Sequence, residues 1–120
     1  AASDVYKRQF IQIVERIEMD IISGKYKPGD KLPSVRDFAA EAAVNPNTMQ
    51  KAFTELERTG LVFSQRTTGR FITEDTSMID ELKSTLAKDK ITELLSFMQQ
   101  LGFQENEILA MIGQTMKGEK

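Results

Sequence analysis

Two helix starts lie close together in the middle of this sequence, and they constrain its fold more than any other feature. Ser34 is followed by Asp37 at the spacing of an N-terminal capping box, with Asp in place of the more usual Glu. Asn45 is a strong cap, and Pro46 suits the first helical position because its missing N–H would be unpaired there. The first helix ends near Ala43, so only a short turn separates it from the second. This spacing predicts a helix-turn-helix.

The second helix of this pair has two different faces. Its apolar side chains recur at helical spacing and predict a buried stripe of Met49, Ala52, Phe53 and Leu56. Its polar side chains fall on the other faces, and they are Asn47, Gln50, Lys51 and Thr54. Gly60 is expected to end the helix, because glycine accepts the left-handed conformation of a helix end. The polar side is either an ordinary solvated face or a surface that lies against something outside the protein.

The flanking segments predict the remaining elements of a winged helix. From Asp4 to Ser23 an apolar stripe recurs every three or four residues and predicts a long helix, with the stripe formed by Tyr6, Phe10, Ile13, Val14, Ile17 and Ile21. Residues 31–33 predict a short extended piece. Residues 61–65 and 70–73 are β-prone, and the basic, glycine-bearing segment 66–69 separates them as a hairpin tip. The predicted fold class is α+β and mostly helical, with a winged helix-turn-helix at its N-terminal end.

The residue types that are absent exclude most enzyme classes. The 120 residues include no cysteine and no histidine, which removes disulfides, thiol nucleophiles, Ser-His triads and the usual zinc sites. We therefore expect no enzyme activity and no metal or cofactor. No apolar run approaches the roughly 18 residues of a membrane span, and the first residues lack the apolar stretch of a secretory signal. A cytoplasmic protein without membrane contact is expected.

The charge of the chain is unevenly placed. Its formal net charge of −2 argues at face value against phosphate binding. Residues 1–74, however, hold eleven Lys and Arg against ten Asp and Glu, whereas residues 75–120 hold five against eight. The N-terminal part therefore permits DNA binding, because the placement of charge matters more than its total.

Residues 75–120 predict two further helices. The first is expected to begin at Ser77 and end at Gly102, and Gln104 with Glu107 has the spacing of a capping box for the second. Two such helices cannot enclose much of a core by themselves. Their apolar stripe either folds back onto the winged helix or forms a dimer interface. We favour the dimer interface, formed by Ile79, Leu82, Leu86, Ile91, Leu94, Leu95, Met98, Leu101, Ile108, Met111 and Ile112.

The most specific motif of the chain is G-x-Y-x-P-G-D-K-L-P-S-x-R, which runs from Gly24 to Arg36. Together with the residues up to Ile72, it resembles the DNA-binding domain of the GntR family of bacterial transcription regulators. The stretch Val-Asn-Pro-Asn-Thr and the short tail are similar to the YtrA subfamily. The resemblance implies a winged helix-turn-helix domain over residues 1–74 and a two-helix dimerisation segment over residues 75–120. It also implies a homodimer bound to a double-stranded DNA operator, in control of a transporter operon.

The resemblance carries DNA contacts over to the helix pair and to the wing. Arg36 is implied to reach a phosphate or a guanine edge, whereas its alternative is a surface ion pair with Asp30 or Asp37. Many other members have Arg where this chain has Pro46 and Gln50, so their guanine contacts do not transfer, and Gln50 or Asn47 can read adenine instead. The expected DNA-contacting residues are Ser34, Arg36, Asn45, Asn47, Thr48, Gln50, Lys51, Arg66, Thr67, Thr68, Gly69 and Arg70.

Simpler roles stand beside some of these contacts. Asn45 is foremost a helix cap, Lys51 is equally well a solvated lysine, and Gly69 is most simply a turn residue. Two functions follow for the whole chain. The first is a sequence-specific regulator, a repressor on a palindromic operator. The second is a winged-helix module that binds protein, in keeping with the net acidity. The basic residues of the helix pair and wing favour the first, and the sequence names no small-molecule effector.

Overall fold

A computed structural model describes residues 2–66 and 68–118, with the backbone alone for residues 2–4 and 6. This part of the chain contains five helices and a two-stranded sheet. They are α1 (Ala2–Ile22), α2 (Val35–Ala42), α3 (Pro46–Thr59), β1 (Val62–Gln65), β2 (Gly69–Ile72), α4 (Thr76–Gln100) and α5 (Glu105–Met116). The predicted order of elements and the mostly helical α+β class are confirmed.

The chain forms two compact units, Ala1–Glu81 and Leu82–Lys120. They divide inside α4, whereas the predicted domain boundary between residues 74 and 75 lies just before this helix. A compact unit is not by itself a functional domain, so the roles assigned to residues 1–74 and 75–120 stay predictions.

The core of the first unit is built around α3, which packs against α1, α2 and β1. Its predicted apolar stripe is buried, with Met49, Ala52 and Phe53 fully covered. Phe53 meets Phe38 of α2 edge to face, with ring centroids 5.8 Å apart, an arrangement that aromatic rings favour. From α1, Ile13, Ile17 and Ile21 are buried as their spacing predicted, and the side chain of Tyr6 lies outside the described residues. Burial of each large apolar side chain stabilises the unit by about 1.5–3 kcal/mol.

The wing is an antiparallel hairpin with a short third piece at its edge. Val62 lies opposite Ile72, and both are buried. Lys31 forms an isolated bridge with Phe71, and the N–H of Leu32 donates to the carbonyl of Arg70 at 2.9 Å. The extended piece predicted over residues 31–33 is thus part of the wing, and it ties the segment before α2 to β2.

The start of α4 differs from its prediction. The helix begins at Thr76, and the Oδ1 of Asp75 accepts from the N–H groups of Ser77 at 3.1 Å and Met78 at 3.3 Å. The hydroxyl of Ser77 also donates to Asp75, and these bonds hold the pKa of the Asp75 carboxyl below its ordinary value. Ser77 therefore lies inside the first turn, and the predicted start there is wrong. Asp75 is the better cap because its carboxylate accepts several bonds at once.

The ends of α4 and α5 confirm their local predictions. Gly102 adopts a φ of +95°, which ends α4, and the N–H of Gln104 donates to the Oε1 of Glu107 at 3.0 Å in the predicted capping box. Within the second unit, Met98 and Ile108 are buried. Both side chains are covered within their own chain, so they offer little surface to a partner, and their place in a dimer interface stays a prediction.

Most of the other apolar side chains on α4 and α5 are accessible. Ile79, Leu82, Leu86 and Ile112 are half-buried. Met116, at the end of α5, is exposed, and so are the seven side chains that we call the tail stripe: Ile91, Leu94, Leu95, Phe97, Leu101, Leu109 and Met111. Phe97 and Leu109 were not predicted for this surface. The helical spacing could have identified Phe97, because it lies three residues after Leu94 and so on a neighbouring part of the same helix face.

Candidate nucleic-acid interface

Side-chain caps set the start of both helices of the helix-turn-helix. The Oγ of Ser34 accepts from the N–H of Asp37 at 3.1 Å, and the Oδ1 of Asn45 accepts from the N–H of Asn47 at 2.7 Å. Both capping predictions are confirmed. Because these oxygens are used locally, each residue contributes to the site chiefly by fixing where its helix begins.

The outer face of α3 carries a run of accessible polar side chains. Asn47, Gln50, Lys51 and Thr54 are exposed, as their spacing predicted. The amide of Gln50 lies along the helix, with its Nε2 at 3.4 Å from the Oγ1 of Thr54, a long and weak hydrogen bond. The amide can therefore turn outward at little cost. This face can present amide donors and acceptors together with a cation to a ligand.

Thr48 does not share this face. Only 7% of it is exposed, and it lies with the apolar stripe of α3. Its predicted contact with DNA is the one that the geometry of α3 supports least. The contact was implied by the resemblance alone, and Thr48 points about 100° away from its neighbour Asn47 on the helix.

Arg36 lies at the accessible start of α2, beside the wing. It lines a groove together with Lys31, Pro33, Thr68 and Gly69. Among residues 2–66 and 68–118, Arg36 makes no ion pair, so the alternative pairing with Asp30 or Asp37 is not observed. Lys31 was not predicted for this surface, and the signal that could have found it is its place between Asp30 and Leu32 in the specific motif.

The wing tip is held by local bonds. The N–H of Thr68 donates to the carbonyl of Gln65 at 3.3 Å, and its hydroxyl donates to the side-chain oxygen of the same residue. Gly69 adopts a φ of +115°, and a Cβ there would come within 3.0 Å of the Cε of Lys31. Gly69 is the first residue of β2, opposite Gln65, and its left-handed φ gives it a structural role where the hairpin turn meets the strand. Arg66 is exposed at the tip, and Thr67 lies outside the described residues.

Comparison with known proteins assigns this arrangement to a family. The model of the bacterial regulatory proteins of the gntR family matches residues 11–72, more than half of the chain. The chain belongs to the GntR family. It is accordingly a DNA-binding transcriptional regulator, and the expectation that it is not an enzyme is confirmed because this family consists of regulators.

Two regulators of Bacillus subtilis are among the relatives of this GntR protein. The HTH-type transcriptional regulator YhcF is 39% identical over 100 residues, which cover 83% of each chain. The HTH-type transcriptional repressor YtrA is 40% identical over 90 residues, which cover 75% of this chain and 65% of YtrA. The predicted likeness to YtrA-type regulators is confirmed.

Solved structures show the same fold. A GntR family transcriptional regulator from Listeria monocytogenes has a TM-score of 0.81 at 39% identity, covering 88% of this chain and 92% of its own. The DNA-binding domain of AraR in complex with operator ORX1 has a TM-score of 0.51 at 30% identity, covering 53% of this chain and 77% of its own. A GntR winged helix of this kind therefore binds operator DNA in AraR.

The contacts that Arg70 makes in this GntR domain differ from the DNA contact predicted for it. Its Nε donates to the Oε1 of Glu57 on α3, and its guanidinium carbon lies 5.2 Å from the ring centroid of Phe53. The hydroxyl of Ser64 on β1 donates to the same Oε1 at 3.0 Å. The guanidinium is thus turned back onto α3. Sequence reasoning missed Glu57, because the pair is 13 residues apart and no local spacing indicates it.

Two further features bear on what the chain can bind. Within the described ranges, no group of three or more carboxylate side chains is arranged to hold a metal ion. None of the described helices combines the length and the apolar character that crossing a bilayer requires.

Proposed function

We propose that this GntR-family regulator is a repressor that binds a palindromic operator as a homodimer. The observation that carries the proposal is the shared accessibility of the α3 polar face, Arg36 and the wing tip on one winged helix. Phosphate contacts position such a domain and base-edge contacts give it sequence preference. Repression is supported by the likeness to YtrA, which is named a repressor.

Each contact has a role that its chemistry supports. Gln50 and Asn47 present amides that can pair with the N6 and N7 positions of adenine in the major groove. Lys51 on that face and Arg36 at the start of α2 are exposed cations suited to phosphate, and we assign further phosphate contacts to Arg66 and Thr68, which are exposed in the wing tip. Ser34 and Asn45 set the starts of their helices, and a helix start favours an anion. At α3 this attraction is weaker, because Pro46 has no N–H and the N–H of Asn47 is already bonded to Asn45. Gly69 would allow the backbone of the tip to come close to DNA, and the contact of Thr67 stays a prediction from the resemblance.

The homodimer is supported by the tail stripe. Its seven side chains are large, apolar and exposed within one helical segment, and large exposed apolar patches mark sites of protein association. Two-fold symmetric dimers present two reading helices to half-sites about one helical turn, ~34 Å, apart or a multiple of it. Control of a transporter operon follows from the resemblance to the YtrA subfamily. Such a regulator works in the cytoplasm, where the chromosome is.

The experiment is selection from random duplex DNA at moderate salt, with sequencing of the retained molecules. A two-fold symmetric enriched site is the expected result, and its affinity should fall with salt at a slope of about −0.9 per phosphate contact. A Leu94→Asp variant is the matched control, because a monomer should enrich one half-site. If the folded wild-type protein enriches no DNA sequence, the alternative hypothesis of a winged-helix module that binds protein is favoured.

A further inference from the structure

One carboxylate on α3 holds both strands of the wing. The Oε1 of Glu57 accepts from the hydroxyl of Ser64 on β1 and from the guanidinium of Arg70 on β2. Ser64 and Arg70 are directly opposite each other in the hairpin, so the two bonds fix the hairpin at a single register position. The wing is therefore attached to α3 at one point that spans its full width.

This attachment lies on the same side of α3 as the polar face. Glu57 follows Gln50 by seven residues, which is close to two full turns of an α-helix and about 10 Å along its axis. The helix thus carries an exposed amide near its start and the wing attachment near its end. Any change in the attachment would alter where the wing tip lies when α3 is in contact with DNA.

The pair is well enclosed for a surface contact. The side chains of Arg70 and Glu57 are 25% and 30% exposed, respectively. The guanidinium also lies over the ring of Phe53, which is fully buried, and such cation–π contacts add to the stability of a partly desolvated arginine. Arg70 is therefore anchored by a carboxylate on one side and an aromatic ring on another. Freeing it for a phosphate would break both contacts.

We propose that Arg70 is a positioning residue, which acts through Glu57 to set the angle between the wing and α3. It does not itself contact DNA, and it neutralises a carboxylate that would otherwise repel nearby phosphates. This inference rests on the proposed DNA-binding function and departs from the direct DNA contact that the sequence suggested for Arg70. The Glu57–Arg70 pair would thereby set the distance along the DNA between the base contacts of α3 and the contacts of the wing.

The positioning role and a phosphate contact of Arg70 predict opposite effects of Glu57→Gln on the affinity for the operator. If Arg70 positions the wing, the variant should lose about tenfold in affinity for the selected operator, the loss of roughly 1.4 kcal/mol. If Arg70 contacts phosphate, the variant should bind more tightly, because it removes a negative charge and releases the guanidinium. Glu41→Gln, at an exposed carboxylate of α2, removes the same charge without touching the wing and is the matched control.

The double variant Glu57→Gln/Arg70→Met tests the phosphate contact separately. Its net charge equals that of the wild type, and methionine keeps an unbranched, polarisable side chain over Phe53. The slope of the logarithm of affinity against the logarithm of salt concentration should equal that of Glu57→Gln, because both variants lose the attachment and Arg70 supplies no phosphate contact in either. A slope lower than that of Glu57→Gln by about one would mean that Arg70 touches a phosphate, and it would overturn the proposal.

A third measurement needs no DNA. Amide hydrogen exchange of the free Glu57→Gln protein should be faster in Val62–Gln65 and Gly69–Ile72 and unchanged in α1, which serves as the internal reference and reports folding. Unchanged exchange in the wing would overturn the proposal even if affinity fell. If the wild type binds no DNA, the function proposed above has failed, whereas the exchange result still tests the attachment of the wing to α3 through Glu57.

Discussion

Ala43 shows how a single residue shapes the helix-turn-helix. It adopts a φ of +56°, in the left-handed region that residues with a Cβ enter at a cost of roughly 1–2 kcal/mol. Its N–H donates to the carbonyl of Ala40 at 3.3 Å, and the N–H of Val44 donates to Ala39 at 3.0 Å. These bonds satisfy carbonyls at the end of α2, so the sharp turn into α3 is kept at the expense of local strain.

We predict that Ala43→Gly stabilises the protein by about 0.5–1 kcal/mol, because glycine reaches this conformation without a steric penalty. Urea unfolding at one fixed protein concentration measures the free energy of unfolding, and a fixed concentration is needed for any dimer. Ala40→Gly, at an exposed helical position, should instead lose about 1 kcal/mol. A loss at both positions would show that residue 43 is not strained in solution.

Glu18 is a residue whose ionisation opposes folding. It is half-buried on α1, and burial raises the pKa of its carboxyl above the ordinary 4.5, with repulsion from Glu15 and Glu55 adding to the rise. A raised pKa means that the folded state holds this proton more tightly than the unfolded state does. The contribution of the Glu18 carboxyl to the free energy of unfolding is therefore fully present below about pH 4.5. It is lost as the pH rises through the pKa of this carboxyl in the folded state.

Glu18→Gln should consequently be more stable than the wild type at pH 7, by less than about 1 kcal/mol because the site is partly solvated. The difference should shrink toward pH 4, where the wild-type carboxyl is protonated. Unfolding curves at both pH values measure the two free energies. Glu81→Gln, at an exposed carboxylate of α4, is the comparison and should change little. An advantage that persists undiminished at pH 4 would point to packing rather than charge.

Among the helices, α3 combines a buried apolar stripe with an exposed polar face, to which we assign DNA recognition. Phe53 and Met49 are fully buried, while Gln50 and Lys51 are exposed between them in the sequence. A change on the outer face should therefore alter DNA recognition without affecting the core.

We predict that Gln50→Ala keeps the stability of the domain and relaxes base preference at one or two positions of each half-site, with about 1–3 kcal/mol of discrimination lost there. Repeating the selection with the variant measures the base preference at each position of the enriched site. Gln12→Ala, at an exposed glutamine of α1, should leave the enriched site unchanged. If Gln50→Ala lowers affinity evenly for all sequences, its side chain does not read a base.

At the scale of the whole molecule, the tail stripe sets the expected oligomeric state. Leu94 is 43% exposed and Leu101 57%, so both present apolar surface to a partner. Ser96 is exposed on the opposite side of α4, two residues and about 200° away. The same helix thus offers an apolar position and a polar one for the same substitution.

Leu94→Asp should shift the protein from dimer to monomer in sedimentation velocity, since burial of an unpaired carboxylate costs on the order of 3–5 kcal/mol. Ser96→Asp introduces the same charge on the polar side and should leave the dimer intact. A dimer that survives Leu94→Asp would place the interface elsewhere, and equal dissociation by both variants would indicate a general effect of charge.

Features of this protein that depend on neighbouring residues were predictable from the sequence. The Ser34 and Asn45 caps, the buried stripe of α3 and the glycine end of α4 follow from contacts within about one helical turn. The specific motif from Gly24 to Arg36 also led to the correct family. Even here one local signal was misread, because Asp75 rather than Ser77 caps α4.

Contacts between residues that are distant in the sequence became visible in the folded chain. Arg70 looked like a basic residue of the wing, and folding brought it to Glu57, 13 residues away in the chain. Met98 and Ile108 looked like other members of the apolar stripe, and packing covered them while leaving Leu94 accessible. The physical reason is that charge and hydropathy belong to a residue, whereas pairing and burial depend on the three-dimensional positions of all its neighbours.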